Sequence, residues 1–506
     1  MQTANQASRR PSCHFHRCRI LPLAVLSILL VHAPAQWAQS KPETANVTSS
    51  KKSPVAKPQT LVQVATRTGK TRDSAPVITI PFEKYQLPNG LEVILHEDHS
   101  LPLASVSIWY HVGPVNEPPK RSGFAHLFEH LMFAGSQHVG SHFDELLESV
   151  GATNVNGTTS WDRTNYFETI PREQLELALW IESDRMGFLL NSVDQAALDT
   201  QRDVVKNERR QSFENAPYGP SNLALMDTLF PAGHPYHGAV IGSMADLSAA
   251  TLDDVHSFYQ LYYAPSNATL ALAGDIDVQQ TKAWIAKYFS SLRKLPKPQS
   301  GSAATFPAPK PIRLAIDESV KVPRVALGWV TPAAYKSGSE ALEVAAEVLA
   351  GGKATRLYRA LVVEKKLAAD VNADTDDNAL GTLFTVEAFA SAGVPIQQLE
   401  EALIAEVSTL AKRPPADDEL RRAKSRILLA VTRELQALNG HGGESGRLGQ
   451  LQRFNHYFND PGAIEQWYQR VWAVSASDVG AACTQWLTNE RRVTVVTQSS
   501  ERGQHP

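Results

Sequence analysis

Apolar and polar positions alternate on both sides of Leu87-Pro-Asn-Gly90. This predicts a strand, a turn and a second strand across residues 82–95. A third β-rich stretch covers 103–112. The spacing then changes to helical over 122–134 and 143–150, the second helix ending at Gly151. Residues 154–170 read as two strands around Ser160-Trp-Asp-Arg163. Helical periods follow at 175–190, 194–213, 223–230 and 251–262, then a fully apolar strand at 268–274 and a helix at 278–292.

A proline-rich stretch after Lys294 interrupts this order, and elements of the same kinds then return. Strands are expected at 325–330, near Val371, at 383–390 and at 492–498, with helices at 340–349, 356–366, 396–411 and 417–436. The expected fold is α+β: two similar domains, each a mixed, mostly antiparallel sheet packed with helices. The boundaries read as a signal peptide at 1–38, a flexible leader at 39–77, a first domain at 78–293, a linker at 294–312 and a second domain at 313–500. No heptad array or short solenoid period is present.

Composition fits a globular chain: 506 residues, 43% hydrophobic and 20% charged. The formal net charge of −3 argues against a nucleic-acid binder. Arg9, Arg10, Arg17 and Arg19 precede the apolar run 20–31, and Ala33-Pro-Ala35 offers a small-residue cleavage site, with Ala38 as a second. That run is short for a bilayer span. The reading is an exported protein, with the bacterial periplasm as its compartment and no stable membrane span after cleavage. Removing residues 1–35 takes four arginines and no acid, moving the net charge from −3 to −7. Cys13 and Cys18 leave with the signal; Cys483 alone remains, so no internal disulfide is expected.

Candidate chemistry concentrates in Gly123-Phe-Ala-His-Leu-Phe-Glu-His130. On a helix, His126 and His130 stand one turn apart on one face, with Glu129 close to it. Two imidazoles so spaced can hold a zinc ion, and the carboxylate can accept a proton from water activated by it. Two histidines and a glutamate are costly in an otherwise apolar helix unless paired or metal-bound. A catalytic zinc ordinarily has three protein ligands. The best third candidate is Glu208, in Arg202-Asp-Val-Val-Lys-Asn-Glu208, although a solvated carboxylate paired with Arg209 or Lys206 is the alternative. His111, His138, His142, His234 and His237 read as structural or loop residues. The glycine-rich segment 438–446 follows no strand, so it reads as a helix break rather than a phosphate loop, with a role close to the substrate chamber.

The chain resembles the pitrilysin or insulinase-type zinc peptidases, whose members include the mitochondrial processing peptidase. The matches run in order: Leu87-Pro-Asn-Gly-Leu91, Trp109-Tyr-His-Val-Gly113, Gly123 to His130, Gly151-Ala-Thr-Asn154, Thr164-Asn-Tyr-Phe167, Val204-Val-Lys-Asn-Glu208 and Gly352-Lys-Ala-Thr-Arg-Leu-Tyr358. The resemblance implies His126, His130 and Glu208 as ligands of one zinc per chain and Glu129 as general base. It implies Asn154, with Asn156 nearby, on the strand that holds the substrate backbone; a turn at Asn156-Gly157 is the competing reading. Two segments depart from the pattern. Gln201 stands where a second glutamate, seven residues before the distal ligand, is common in the family. Val362 and Ala369 occupy the second-domain segment where longer relatives place a transition-state arginine and tyrosine in a later half.

The resemblance also implies a half-clamshell, completed as a homodimer or as a heterodimer with a homologous subunit lacking the zinc motif. The expected function is a zinc-dependent endopeptidase acting on peptides or unfolded segments. The alternatives are a non-catalytic core or assembly subunit of the same fold, and a peptide-binding protein.

Overall fold

A computed structural model describes residues 77–141, 143–298 and 310–500. The signal, nearly all of the leader and residues 299–309 of the linker lie outside the described residues.

The Pro-Asn-Gly turn joins β1 (Glu83–Gln86) to β2 (Glu92–Glu97), with Gly90 at φ 100° where only glycine is unstrained. Next come β3 (Leu103–Tyr110), α1 (Phe124–Leu131), α2 (Phe143–Ser149), β4 (Thr153–Thr159) and β5 (Thr164–Pro171). α3 (Leu175–Phe188), α4 (Gln195–Arg209), α5 (Gly219–Leu229), α6 (Met244–Ser248) and α7 (Leu252–Tyr262) precede β6 (Ala268–Gly274) and α8 (Val278–Phe289). The second half runs β7 (Ile312–Glu318), β8 (Arg324–Thr331), α9 (Ser339–Ala350), β9 (Ala368–Asp376) and β10 (Thr382–Ala390). It ends with α10 (Ile396–Lys412), α11 (Asp417–Glu434), α12 (Gly446–Phe458), α13 (Ile464–Ala473), α14 (Ala476–Trp486) and β11 (Val493–Ser499). α6, β7 and α12 to α14 were not among the expected elements.

The two sheets share one topology. The first has order β1-β2-β6-β3-β5-β4 and the second β7-β11-β8-β10-β9. In each, the first long strand pairs parallel with the last (β2 with β6, β7 with β11), and the other neighbours are antiparallel. The second sheet is therefore the first without β1. The fold is α+β with two similar halves, as expected.

Each half lends one helix to the other. α5 packs on β11, β7 and β8, and Gly328 permits this: a Cβ there would lie 2.8 Å from Leu229 Cδ1. α12 packs on β3 and β6, where the buried Gln452 Nε2 donates to Ser107 O (3.0 Å) and Thr269 O (2.9 Å). Arg447 on α12 pairs with the buried Asp98 at 2.6 Å. Both contacts pair buried polar groups across the join between the halves. No helix among the described residues is long and apolar enough to cross a membrane.

Candidate metal centre

α1 begins at Gly123, whose φ of 88° and close approach to Gly242 (a Cβ would lie 2.8 Å from its Cα) exclude a side chain. With no side-chain cap on Gly123, the Glu117 carboxylate takes the free amides of Gly123 (3.0 Å) and Ala125 (2.8 Å). Phe124, Leu127, Phe128 and Leu131 are buried in the core, which fixes the rotation of the helix and turns His126, Glu129 and His130 to a common cavity.

α4 lies against α1 and brings in Glu208 from a remote part of the chain. Glu208 Oε2 is 3.3 Å from His130 Nε2 and 3.7 Å from His126 Nε2. The ligating atoms of these three residues all lie within 4.8 Å of one another, the one such group of three among the described residues. Burial lowers the pKa of His126, keeping it neutral as a ligand must be. For Glu208, burial alone would raise the pKa, but the two imidazoles outweigh it and hold the carboxylate ionised. His126 Nδ1 and Glu208 Oε2 are buried without hydrogen-bond partners, a costly state that a bound cation would relieve at the carboxylate. Two neutral imidazoles and one carboxylate are a donor set suited to zinc.

Glu129 Oε2 accepts a 2.6 Å hydrogen bond from Thr159 Oγ1 on β4. Gly157 lets β4 approach α1: a Cβ there would lie 3.0 Å from Glu129 Cγ and from Phe133 Cε2. The cavity is about 370 Å³; Asn156, Gln201 and Thr159 line it, and Asp376 and Asn378 of the second half form part of its wall. Asn156 and Gln201 thus share the cavity with the three candidate ligands. Asn154 does not line it: it is exposed, at φ 55°, where the β4 register shifts.

The other histidines have local partners. His111 Nδ1 lies 2.8 Å from His456 Nδ1, and His138 bonds Asp184. His234 Nδ1 accepts from Tyr236 N, and His237 Nδ1 donates to Phe230 O. His142 lies outside the described residues. Thr159 escaped the sequence reading, and Gly157 entered it only as part of a turn. Their signal is the two-residue period of β4, which puts both on the face toward α1.

The model for "Insulinase (Peptidase family M16)" matches residues 92–227, and that for "Peptidase M16 inactive domain" matches 249–427. The zinc protease PqqE of Helicobacter pylori is 30% identical over 354 residues, spanning 68% of this chain and 77% of that protein. The crystal structure of a protease from Helicobacter pylori superposes with a TM-score of 0.74 at 26% identity, covering 83% of this chain and all of that one. The periplasmic protease PqqL from Escherichia coli has the same fold (TM-score 0.66, 22% identity); 84% of this chain spans 49% of that one.

Proposed function

The chain belongs to the insulinase (M16) peptidase family, and from that premise we propose that it is a zinc-dependent endopeptidase acting on peptides or unfolded segments. The observation that carries the reading is the convergence of His126, His130 and Glu208 beside Glu129 in one cavity.

His126, His130 and Glu208 would hold one zinc per chain. Zinc, when bound, supplies a Lewis acid that polarises a peptide carbonyl and makes water more acidic. Glu129 accepts the proton of the attacking water and returns it to the leaving amine. The Thr159 hydroxyl holds Glu129 Oε2 and so fixes the direction in which the carboxylate works. β4 is the edge strand of its sheet, so an extended peptide can add to its free side. Asn156 on that strand can both donate to and accept from a peptide group. Gln201, also at the cavity wall, offers an amide rather than a second carboxylate near the metal.

The structurally similar PqqL is longer, 84% of this chain spanning only 49% of it, which supports completion of the chamber by a second two-domain chain, identical or homologous. The export signal read at the N-terminus supports a periplasmic site of action. In the test, Glu129→Gln retains zinc and loses peptide cleavage; cleavage at the wild-type rate in that variant would overturn the assignment.

A further inference from the structure

β4 carries Thr159 to Glu129, and within its sheet it is paired on one side only. It is an edge strand, bonded on one side to β5, and its register shifts between Thr153 and Asn156. Its C-terminal end gains a second attachment from the other half of the molecule. The turn His441–Gly443, between α11 and α12, sits on β4 and β5. Gly442 O accepts from Asn165 Nδ2 (3.2 Å) and lies 3.1 Å from Thr158 Oγ1. Asn165 Oδ1 in turn takes Thr158 Oγ1 at 2.6 Å and Thr158 N at 3.2 Å. The buried Arg163, stacked 4.8 Å above the Trp109 ring, donates through Nη1 to Thr158 O (3.0 Å) and pairs through Nη2 with Glu444.

We propose that this glycine turn of the second half is a positioning device for Glu129, acting through Thr158 and Thr159 on β4. Successive strand residues face opposite ways. Thr158 is gripped from the second half, while Thr159 reaches α1. A shift of one moves the other, because a single peptide bond joins them. The turn is built for close seating. Gly442 and Gly443 have φ of 64° and 66°, and a Cβ on Gly443 would lie 2.6 Å from Asn165 Nδ2. The three candidate metal ligands all belong to the first half and need nothing from this turn. The alignment of Glu129 does need it. Hydrolysis is therefore coupled to the docking of the two halves, whereas metal binding is not.

This inference rests on Glu129 as general base, so its test reads the strand as well as the reaction. In the full-length zinc-loaded chain, Gly443→Ala and the milder Glu444→Gln are compared with wild type and with the charge-conserving Glu444→Asp. Zinc content, kcat and KM on an unstructured peptide, and amide exchange at Thr158 and Thr159 are measured. Zinc stays at the wild-type level and KM changes by less than about twofold, while kcat falls roughly tenfold or more in Gly443→Ala and less in Glu444→Gln, a modest share of what a general base contributes. Exchange at Thr158 and Thr159 quickens in the same order, and Glu444→Asp recovers towards wild type. Unchanged exchange overturns the proposal, as does a rise in KM at constant kcat. If the zinc-loaded wild type cleaves no peptide, the general-base reading falls, and quickened exchange without zinc loss still supports the turn as the clamp on β4.

Discussion

Glu208 Oε2 stands 3.3 Å from His130 Nε2 and is buried without a hydrogen bond, held there by the packing of α4 on α1. A carboxylate so placed is stable beside a cation and costly without one.

Chelation should therefore act on stability as well as on activity. EDTA lowers the wild-type Tm, since a ligand that binds only the native state contributes about 2.7 kcal/mol at a hundredfold excess over Kd. His130→Ala and Glu208→Gln retain little zinc after dialysis, and their Tm no longer responds to EDTA. A Tm response equal to wild type in both variants would remove these residues from the metal site.

Gly157→Ala should damage the site without touching a ligand. The added methyl meets Glu129 Cγ, Phe133 Cε2 and Tyr166 Cδ1 at 3.0, 3.0 and 3.1 Å. Such overpacking costs about 1–3 kcal/mol and moves β4 away from α1. Lower Tm and lower kcat with normal zinc content are expected; a variant as active as wild type contradicts the close approach.

Arg447→Ala should weaken the join between the halves. It leaves Asp98, 2% exposed, without its cation, although Ser100 N still donates to it at 2.9 Å. Removing one partner of a buried pair costs about 3–5 kcal/mol, read as a lower urea midpoint. Arg447→Met, which keeps the bulk but not the charge, should recover little.

Glu343 on α9 should make stability depend on pH. Burial, then the nearby Asp377, push its carboxyl up to about 8, with Arg453 opposing. The native state thus holds this proton more tightly than the unfolded chain. The resulting stability is present below the unfolded carboxyl pKa and is lost as pH rises to about 8. Glu343→Gln removes that dependence, so the Tm of the variant relative to wild type should climb from pH 4.5 to pH 8. A flat difference would show that Glu343 titrates normally.

Much of this was legible in the residues. The His126, Glu129 and His130 spacing placed three polar groups together on an apolar helix, and helical geometry alone made that a candidate site. The strand and helix periods located most elements, including both strands beside the site. Asn154 and Asn156 could not be told apart, because a shift of register in an edge strand leaves no pattern in composition. α12 also escaped: it is buried over most of its length, yet Arg447, Gln450, Gln452 and Asn455 break its apolar period.

By itself the sequence determined the local elements, the motif helix and the second appearance of similar elements after the linker, since each depends on interactions a few residues apart. The tertiary structure decided what crosses between distant segments. It brought Glu208 to His130, exchanged α5 and α12 between the halves, and seated the 441–443 turn on β4. The residues alone offered Glu208 as a candidate, but the helix swap and the seating of the turn join segments whose chemistry gives no sign of a partner until the chain has packed.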